Sequence, residues 1–253
     1  MLKTESIIED AAAKLPPGIW KIAAVAILGA FLSQLDATVV NVSLPALAVE
    51  LRSSLSTIQW VMSGYLLALA LVLPLNGWLV DRIGARRLYL WCFATFTLSS
   101  VLCGAAWSAA SLVVFRVLQG MSGGLLAPMA QMILARAAGK HMARVMGYAA
   151  LPILLGPILG PVLAGTILQH ASWRWLFLAN VPVCLAGILM AALFLPHDSG
   201  ERRVRAFDGF GFALLRLRGL CCSSAGVTIC RRRPGEFCWV LRHCCWACLC
   251  AMA

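Results

Sequence analysis

Charge is scarce in this sequence. Asp, Glu, Lys and Arg together make up 12% of the 253 residues, whereas hydrophobic residues make up 61%, and the mean hydropathy is +0.87. A soluble domain has about a quarter of its residues charged, so a soluble fold of this size could not cover so much apolar surface. The same composition excludes an intrinsically disordered chain. It predicts a chain that lies largely in lipid, with several spans of about 20 apolar residues each.

The sequence also lacks two short motifs of nucleotide and metal chemistry. It has no Gly-x-x-x-x-Gly-Lys-Ser/Thr phosphate loop and no His-Glu-x-x-His pair. We therefore expect no enzyme activity, no cofactor and no metal, and we expect any driving energy to come from an ion gradient. The net charge of +11 does not indicate nucleic acid, because membrane proteins concentrate Lys and Arg in their cytoplasmic loops.

Long charge-poor runs predict six membrane-spanning helices. A backbone in hydrocarbon must satisfy its own hydrogen bonds, so runs of this length are expected to be helical. If the N-terminus is cytoplasmic, twelve Lys and Arg residues fall in cytoplasmic segments and only Arg52 and Arg174 fall outside, which favours that orientation. The predicted spans lie near residues 21–43, 57–80, 88–107, 110–135, 145–168 and 175–195.

Two charged residues lie inside predicted spans, Asp36 in the first and Arg116 in the fourth. Each costs about 3 kcal/mol on insertion scales. The two helices run in opposite directions, and at about 1.5 Å per residue both charges reach the outer half of the membrane at a common depth. With the polar residues Gln34, Asn41 and Gln119 nearby, we predict a cavity site in which a carboxylate exchanges a proton beside a guanidinium. The alternative is an ion pair that only locks two helices together.

The connection between the second and third predicted spans concentrates charge and glycine. An acidic residue surrounded by three arginines is more than the positive-inside bias requires. Gly84 suits a tight turn with positive φ, and Gly77 suits close contact between helices. The residues singled out in this 77–87 connection are Gly77, Asp81, Arg82, Gly84, Arg86 and Arg87.

The fifth predicted span carries repeated glycine and proline. Pro157 and Pro161, like Pro152 before them, each remove a backbone donor and are expected to bend the helix. Gly156 and Gly160, together with Gly147 and Gly165, give a smooth face of small residues that permits tight helix contact. Two interpretations stay open, helix packing alone and a kinked, close seal that prevents leak during transport.

Five segments of the chain resemble motifs of the major facilitator superfamily, and more closely its fourteen-span drug/proton antiporter branch. The 77–87 connection resembles the superfamily loop signature, with Ala85 where many members have a basic residue. Pro161 stands where the general superfamily form has glycine, which brings the fifth-span motif nearer to the branch. The matching segments, in chain order, are residues 35–45, 77–87, 116–124, 156–161 and 173–182.

This resemblance implies an all-α membrane fold, the N-terminal half of a major facilitator transporter, built from two inverted three-helix repeats. It implies proton-coupled efflux of small amphipathic drugs by alternating access, in a bacterial inner (plasma) membrane, with lipid, substrate and protons as partners. Asp36 and Arg116 would couple protons with support from Gln119, residues 77–87 would gate, and residues 156–161 would seal. The missing C-terminal half or a second copy would complete the path; the alternative is an inactive or structural membrane fragment.

The last 38 residues differ in character from the rest. Residues 216–253 hold eight of the eleven cysteines, six arginines and one glutamate. Three interpretations compete: a zinc or redox site at the Cys245-x-x-Cys248 spacing, a basic membrane-surface tail, and translation out of frame. We favour the third, because a CTG leucine codon read one base later begins TG and encodes Cys or Trp. The predicted organisation is a cytoplasmic segment at 1–20, the six-span unit at 21–196, a linker opening a seventh span at 197–215, and an aberrant or disordered tail at 216–253.

Overall fold

The computed structural model describes residues 17–196, and the chain is helical through most of that range. Single 3-10 turns at Leu73–Leu75 and Gly139–His141 connect neighbouring helices. The α-helices are α1 Pro17–Glu50, α2 Leu55–Val72, α3 Asn76–Ile83, α4 Ala85–Gly104, α5 Ala109–Ala138, α6 Met142–His170, α7 Trp175–Leu178 and α8 Asn180–Phe194.

Six helical units are long and apolar enough to cross a bilayer, which confirms the predicted all-α, six-helix membrane fold. Helices α2 and α3 form one unit across the 3-10 turn, and α7 and α8 form another. We refer to these units as spans one to six. Their bounds are Gly18–Glu50, Leu55–Ile83, Ala85–Gly104, Ala109–Ala138, Met142–His170 and Trp175–Phe194.

The helix ends follow local sequence signals. Ser54 begins span two by accepting a hydrogen bond from the Thr57 backbone N–H at 3.2 Å, and Ser108 begins span four in a reciprocal capping box with Ser111. Such side-chain oxygens satisfy the amides that a helix start leaves without partners. Span one runs past its predicted end to Glu50, because the chain stays apolar beyond residue 43 and Leu47 is fully buried.

Spans one and four occupy the centre of the bundle. Span one packs against spans two, four, five and six, and span four packs against spans one, two and three. Gly120 and Gly124 let span four approach the backbone of span two, where a Cβ at Gly120 would lie 2.5 Å from the Tyr65 carbonyl oxygen. This is the close contact that small residues permit between membrane helices.

Three apolar clusters form the core, and one of them lies between spans one, four and five. A layer of polar side chains separates the residues of the other two clusters along the sequence of five spans. The first cluster includes Leu32, Phe93 and Leu126, and the second includes Val40 and Leu112. Between the residues of these clusters, each of spans one, two, three, four and six carries buried polar side chains. This polar layer consists of Asp36, Tyr65, Ser100, Arg116, Gln119 and Asn180.

Candidate functional site

The centre of the polar layer is a buried ion pair. Arg116 Nη1 on span four lies 2.7 Å from Asp36 Oδ2 on span one, and both side chains are fully buried. Because each charge alone is costly in lipid, burial of the two together requires the close geometry seen here. The pairing inferred from their common depth is thus present in the structure, while a role in proton coupling stays a prediction.

Both oxygens of the carboxylate accept hydrogen bonds. Oδ1 of Asp36 accepts from Asn180 Nδ2 at 2.8 Å and from Gln119 Nε2 at 3.3 Å, while Oδ2 accepts from Arg116. Gln119 also accepts from Arg116 Nη1 at 2.7 Å and donates to Ser100 Oγ at 2.8 Å. Bonds of this charge-assisted kind favour the ionised carboxylate. The carboxylate of Asp36 therefore joins spans one, four and six, and Gln119 connects span three to them through Ser100.

Aromatic rings cover the rest of the Arg116 guanidinium. Its centre lies 4.3 Å from the Tyr65 ring centroid and 5.8 Å from that of Phe177. Within residues 17–196, the buried Nε and Nη2 atoms have no hydrogen-bond partner, so cation–π contact is the main compensation on this side. Such contacts contribute about 2 kcal/mol when the cation is desolvated. The guanidinium is therefore held by two rings as well as by its carboxylate.

A second polar contact lies next to the ion pair. Ser33 Oγ on span one is 3.3 Å from Tyr65 Oη and donates to the Gly123 carbonyl oxygen at 3.4 Å. Through these bonds span one is linked to spans two and four one turn before Asp36. The tyrosine that faces Arg116 with its ring is thereby fixed at its hydroxyl end.

Gln34 and Asn41 do not join the ion pair, which corrects the expectation that they surround it. Both side chains are exposed at the surface of the bundle. At about 100° per residue, Gln34 and Asp36 point about 200° apart around the helix axis, so they lie on different faces of span one. Among residues 17–196, the side chains bonded to the carboxylate of Asp36 are Arg116, Gln119 and Asn180.

Asn180, Ser100 and Tyr65 are members of the polar layer that the sequence reasoning left without a role. Asn180 and Tyr65 each stand within a largely apolar run, whereas Ser100 directly follows Ser99; all three are buried. Buried polar groups need partners, so their presence was a usable signal. Their partners, however, belong to other spans, and no spacing within one span indicates which.

In the structure, the 77–87 connection consists of the end of one helix, a turn of a single residue and the start of the next helix. Helix α3 continues to Ile83, and Gly84 alone separates it from α4, with φ 94° and its N–H bonded to the Val80 carbonyl at 2.9 Å. Only glycine adopts this backbone conformation without strain, as predicted. Gly77 does not bring helices together among the described residues, because a Cβ there would have no neighbour within 4 Å. The predicted close contact at Gly77 is therefore wrong within this range.

The charged side chains of this connection make contacts in two directions. Arg86 donates through Nη2 to the Ala192 carbonyl near the end of span six, where a cation compensates the carbonyl oxygens of a helix end. Arg82 lies 5.3 Å from the Trp78 ring centroid. Asp81 is half-buried and Arg87 is exposed. A gating role for these residues stays a prediction.

Two of the glycines in span five form a close contact with span one. A Cβ at Gly160 would lie 2.7 Å from Thr38 Cβ, and one at Gly156 would lie 3.2 Å from Gln34 Cβ. Pro157 and Pro161 are exposed on other faces, and α6 continues through them as one helix. Gly147 and Gly165 face open space. The small-residue contact is thus limited to the middle of the span.

We expect Gly160→Ala to lower the stability of the bundle, because the added methyl group would meet the Thr38 side chain. Overpacking costs about 1 to 3 kcal/mol, against a gain in helix propensity of about 1 kcal/mol. Gly165→Ala is the matched control, since it gains the propensity without a new contact. Apparent melting temperatures in detergent should fall for Gly160→Ala and not for Gly165→Ala. Equal shifts for the two variants would contradict the close contact.

No group of three or more His, Cys, Asp or Glu side chains in residues 17–196 has the geometry to hold a metal ion. The Cys245-x-x-Cys248 spacing, the 197–215 linker and the N-terminal segment up to residue 16 lie outside the described residues.

Ser122 lies in a Gly-x-Ser-x-Gly spacing, but it is inside helix α5 and donates to the Gln119 carbonyl at 2.9 Å. It is therefore not at the exposed strand-to-helix turn on which a hydrolase nucleophile sits.

Six apolar helices around a buried network of opposite charges define a multi-pass membrane protein of the transporter class. The chain belongs to the Major Facilitator Superfamily, whose family model matches residues 26–253. This confirms the family inferred from the five sequence motifs.

The relatives that the chain matches carry multidrug resistance names. It is 41% identical to the Multidrug resistance protein B homolog of Mycobacterium tuberculosis over 203 residues, which cover 80% of this chain and 37% of that protein. It is 37% identical to the Putative multidrug resistance protein MdtD of Serratia proteamaculans, over 78% of this chain and 41% of that protein. The chain thus spans about two fifths of the length of these curated relatives.

Solved structures support the fold. The proton:xylose symporter XylE bound to 6-bromo-6-deoxy-D-glucose superposes with a TM-score of 0.64 at 16% identity, over 87% of this chain and 55% of that one. A bacterial homologue of the human lysosomal transporter Spinster, in an inward-facing and unoccupied conformation, gives a TM-score of 0.57 at 19% identity, over 78% and 47% of the two chains. At these identities the likeness concerns the fold alone.

Proposed function

We propose that this chain is the N-terminal six-span half of a proton-coupled exporter of small amphipathic drugs. The observation that carries the proposal is the buried ion pair of Asp36 and Arg116, with Gln119 bonded to both. Intramembrane ionisable pairs of this kind often mark proton routes. The multidrug resistance names of the relatives support drugs as the substrate class.

The proposed proton step acts on the contact between spans one and four. While Asp36 is ionised, its attraction to Arg116 holds the two spans together. A proton on the carboxylate removes that attraction, while the rings of Tyr65 and Phe177 retain the guanidinium. The attraction between the two spans is therefore stronger when Asp36 is ionised than when it is protonated. A difference of this kind is what a ligand-biased, two-state transition such as alternating access requires.

Other parts of the chain are assigned supporting roles in this proposal. Gln34 and Asn41, exposed on span one, would line the substrate cavity. The 77–87 connection would gate the cytoplasmic side, where its arginines are placed by the positive-inside rule. The Gly156–Gly160 contact with span one would seal the path during exchange. The N-terminus would lie in the cytoplasm of a bacterial cell, and the chain in its inner membrane.

The proposal is tested by Asp36→Asn, which keeps the shape of the side chain but cannot lose or gain a proton. In everted membrane vesicles holding the 253-residue chain, we expect the wild type to move a fluorescent lipophilic cation when a proton gradient is imposed. Asp36→Asn should abolish this movement while the protein still inserts in the membrane. Glu50→Gln is the matched control, since it removes an exposed carboxylate at the end of the same helix.

Two outcomes of this experiment contradict the proposal in different ways. Unchanged transport by Asp36→Asn would remove Asp36 from the coupling mechanism. Transport by the wild-type chain no greater than by empty vesicles would favour the second candidate, a membrane fragment without transport of its own. The observation favouring that candidate is length, because the chain covers only 37% to 42% of the relatives it matches.

A further inference from the structure

Asn180 places span six in direct contact with the ion pair. Its Nδ2 donates to Asp36 Oδ1 at 2.8 Å, which is shorter than the 3.3 Å bond from Gln119 to the same oxygen. The side chain is 3% exposed, and it is the one amide side chain in an otherwise apolar helix of 15 residues. A buried amide in such a helix needs a partner of the right geometry, and here the partner is the acidic group of the proposed proton site.

The local sequence explains how span six delivers this contact. Helix α7 ends at Leu178 and α8 begins at Asn180, with Pro182 in its first turn. Proline is tolerated there because the first amides of a helix have no intrahelical partner. Phe177 and Asn180 are three residues apart and contact Arg116 and Asp36 respectively. The start of span six therefore touches both charges of the pair.

We propose that Asn180 is a positioning residue that holds Asp36 in its ionised, paired state and so sets the pH at which the carboxyl takes up a proton. This inference rests on the proposed function, because it assigns a partner to the same site. The physical reason is that a hydrogen bond to a charged carboxylate is stronger than one to the carbonyl oxygen of a neutral carboxyl, so loss of an N–H donor weakens the ionised form more than the protonated one. Without Asn180, the carboxyl should take up its proton at higher pH.

The other titratable groups that face Asp36 are unchanged by a substitution at position 180. Span four contributes Arg116 and span two contributes Tyr65. Span three contributes the Cys103 thiol, and span six contributes the Cys184 thiol one turn after Asn180. Span five meets span one through glycines, at Gln34 and Thr38. A change in proton uptake would therefore report the lost amide contact.

The test is an infrared pH titration of the purified 253-residue chain in lipid nanodiscs. Ten Asp and Glu residues are present, and subtracting the spectrum of Asp36→Asn isolates the carboxyl band of Asp36. We expect Asn180→Leu, which keeps the side-chain size, to raise the midpoint of that band by about one pH unit, a tenfold change in proton affinity. Asn180→Ala also lacks the donor and should shift it in the same direction. Ser43→Ala, which removes a buried hydrogen bond elsewhere on span one, should leave it in place.

The outcomes separate this inference from the function on which it rests. If the Asp36 band titrates with the same midpoint in the wild type and in both Asn180 variants, the positioning role is overturned and proton coupling is left standing. A downward shift would overturn it as well, because a lost donor cannot favour the carboxylate. Absence of a titrating Asp36 band in wild type and variants alike would overturn both. Measuring two variants keeps the result decisive if Asn180→Leu fails to insert.

Discussion

Replacing Arg116 by leucine is expected to destabilise the bundle more than any other single charge removal in the described chain. The substitution leaves the Asp36 carboxylate fully buried with no cation beside it. Breaking a buried pair by removing one partner costs about 3 to 5 kcal/mol. The measurement is the apparent melting temperature and the yield of folded protein in detergent. Arg136→Gln, which removes an exposed charge at the far end of the same helix, should change both only slightly.

The two members of the pair should not be equally costly to remove. After Asp36→Asn, the guanidinium keeps the rings of Tyr65 and Phe177 and the Gln119 oxygen. We therefore expect Asp36→Asn to cost less stability than Arg116→Leu. Combining both substitutions leaves no buried charge and should recover most of the loss, as expected when an ion pair is replaced by neutral groups. Equal losses for the single variants, with simple additivity in the double variant, would contradict this account.

The spans and the ion pair were predictable because both depend only on the position of residues along the chain and their depth in the membrane. A backbone in lipid must be helical over about 20 residues, so charge-poor runs locate the spans. A single charge in a span must find an opposite charge at its own depth. Apart from Lys21 at the very start of the first span, Asp36 and Arg116 were the charges within the predicted spans, so counting residues from the helix ends was enough to pair them.

The identity of the remaining neighbours depended on the rotation of each helix, which apolar runs do not encode. Gln34 and Asn41 are close to Asp36 in sequence, yet the structure places them on another face of span one. Asn180 and Ser100 are distant in sequence and bonded into the network. A helix that is apolar on every side has no hydrophobic stripe to indicate how it is rotated about its own axis. Partner choice is therefore settled by packing between spans.

Glycine shows the same limit in another form. Gly84 could be assigned from sequence because a tight turn between two helices requires a positive φ, and the structure gives 94°. Close packing, by contrast, needs a partner surface. Gly160 has one in Thr38, whereas Gly77 and Gly165 have none within 4 Å among residues 17–196. A small residue permits close contact, but the sequence alone does not reveal whether another helix lies against it.

The contact between spans two and four should be the least tolerant of added volume. A Cβ at Gly120 would lie 2.5 Å from the Tyr65 carbonyl oxygen, and one at Gly124 would lie 2.8 Å from Leu69 Cα. These neighbours are backbone atoms of span two, which cannot move unless the helix itself moves. The two helices would have to separate, and the ring of Tyr65 would move from the Arg116 guanidinium that it now faces at 4.3 Å.

We therefore expect Gly120→Ala to cost about 3 kcal/mol of stability, the upper end of the range for overpacking, and more than Gly160→Ala. Gly147→Ala, which meets nothing within 4 Å, is the control and should gain up to about 1 kcal/mol from helix propensity. Apparent melting temperatures in detergent would rank the three variants. A small loss of stability for Gly120→Ala would mean that span two can move away from span four at little cost in free energy. The polar layer would then not depend on this contact. A large loss would show that one methyl group between two backbones is enough to separate the helices that carry Tyr65 and Arg116.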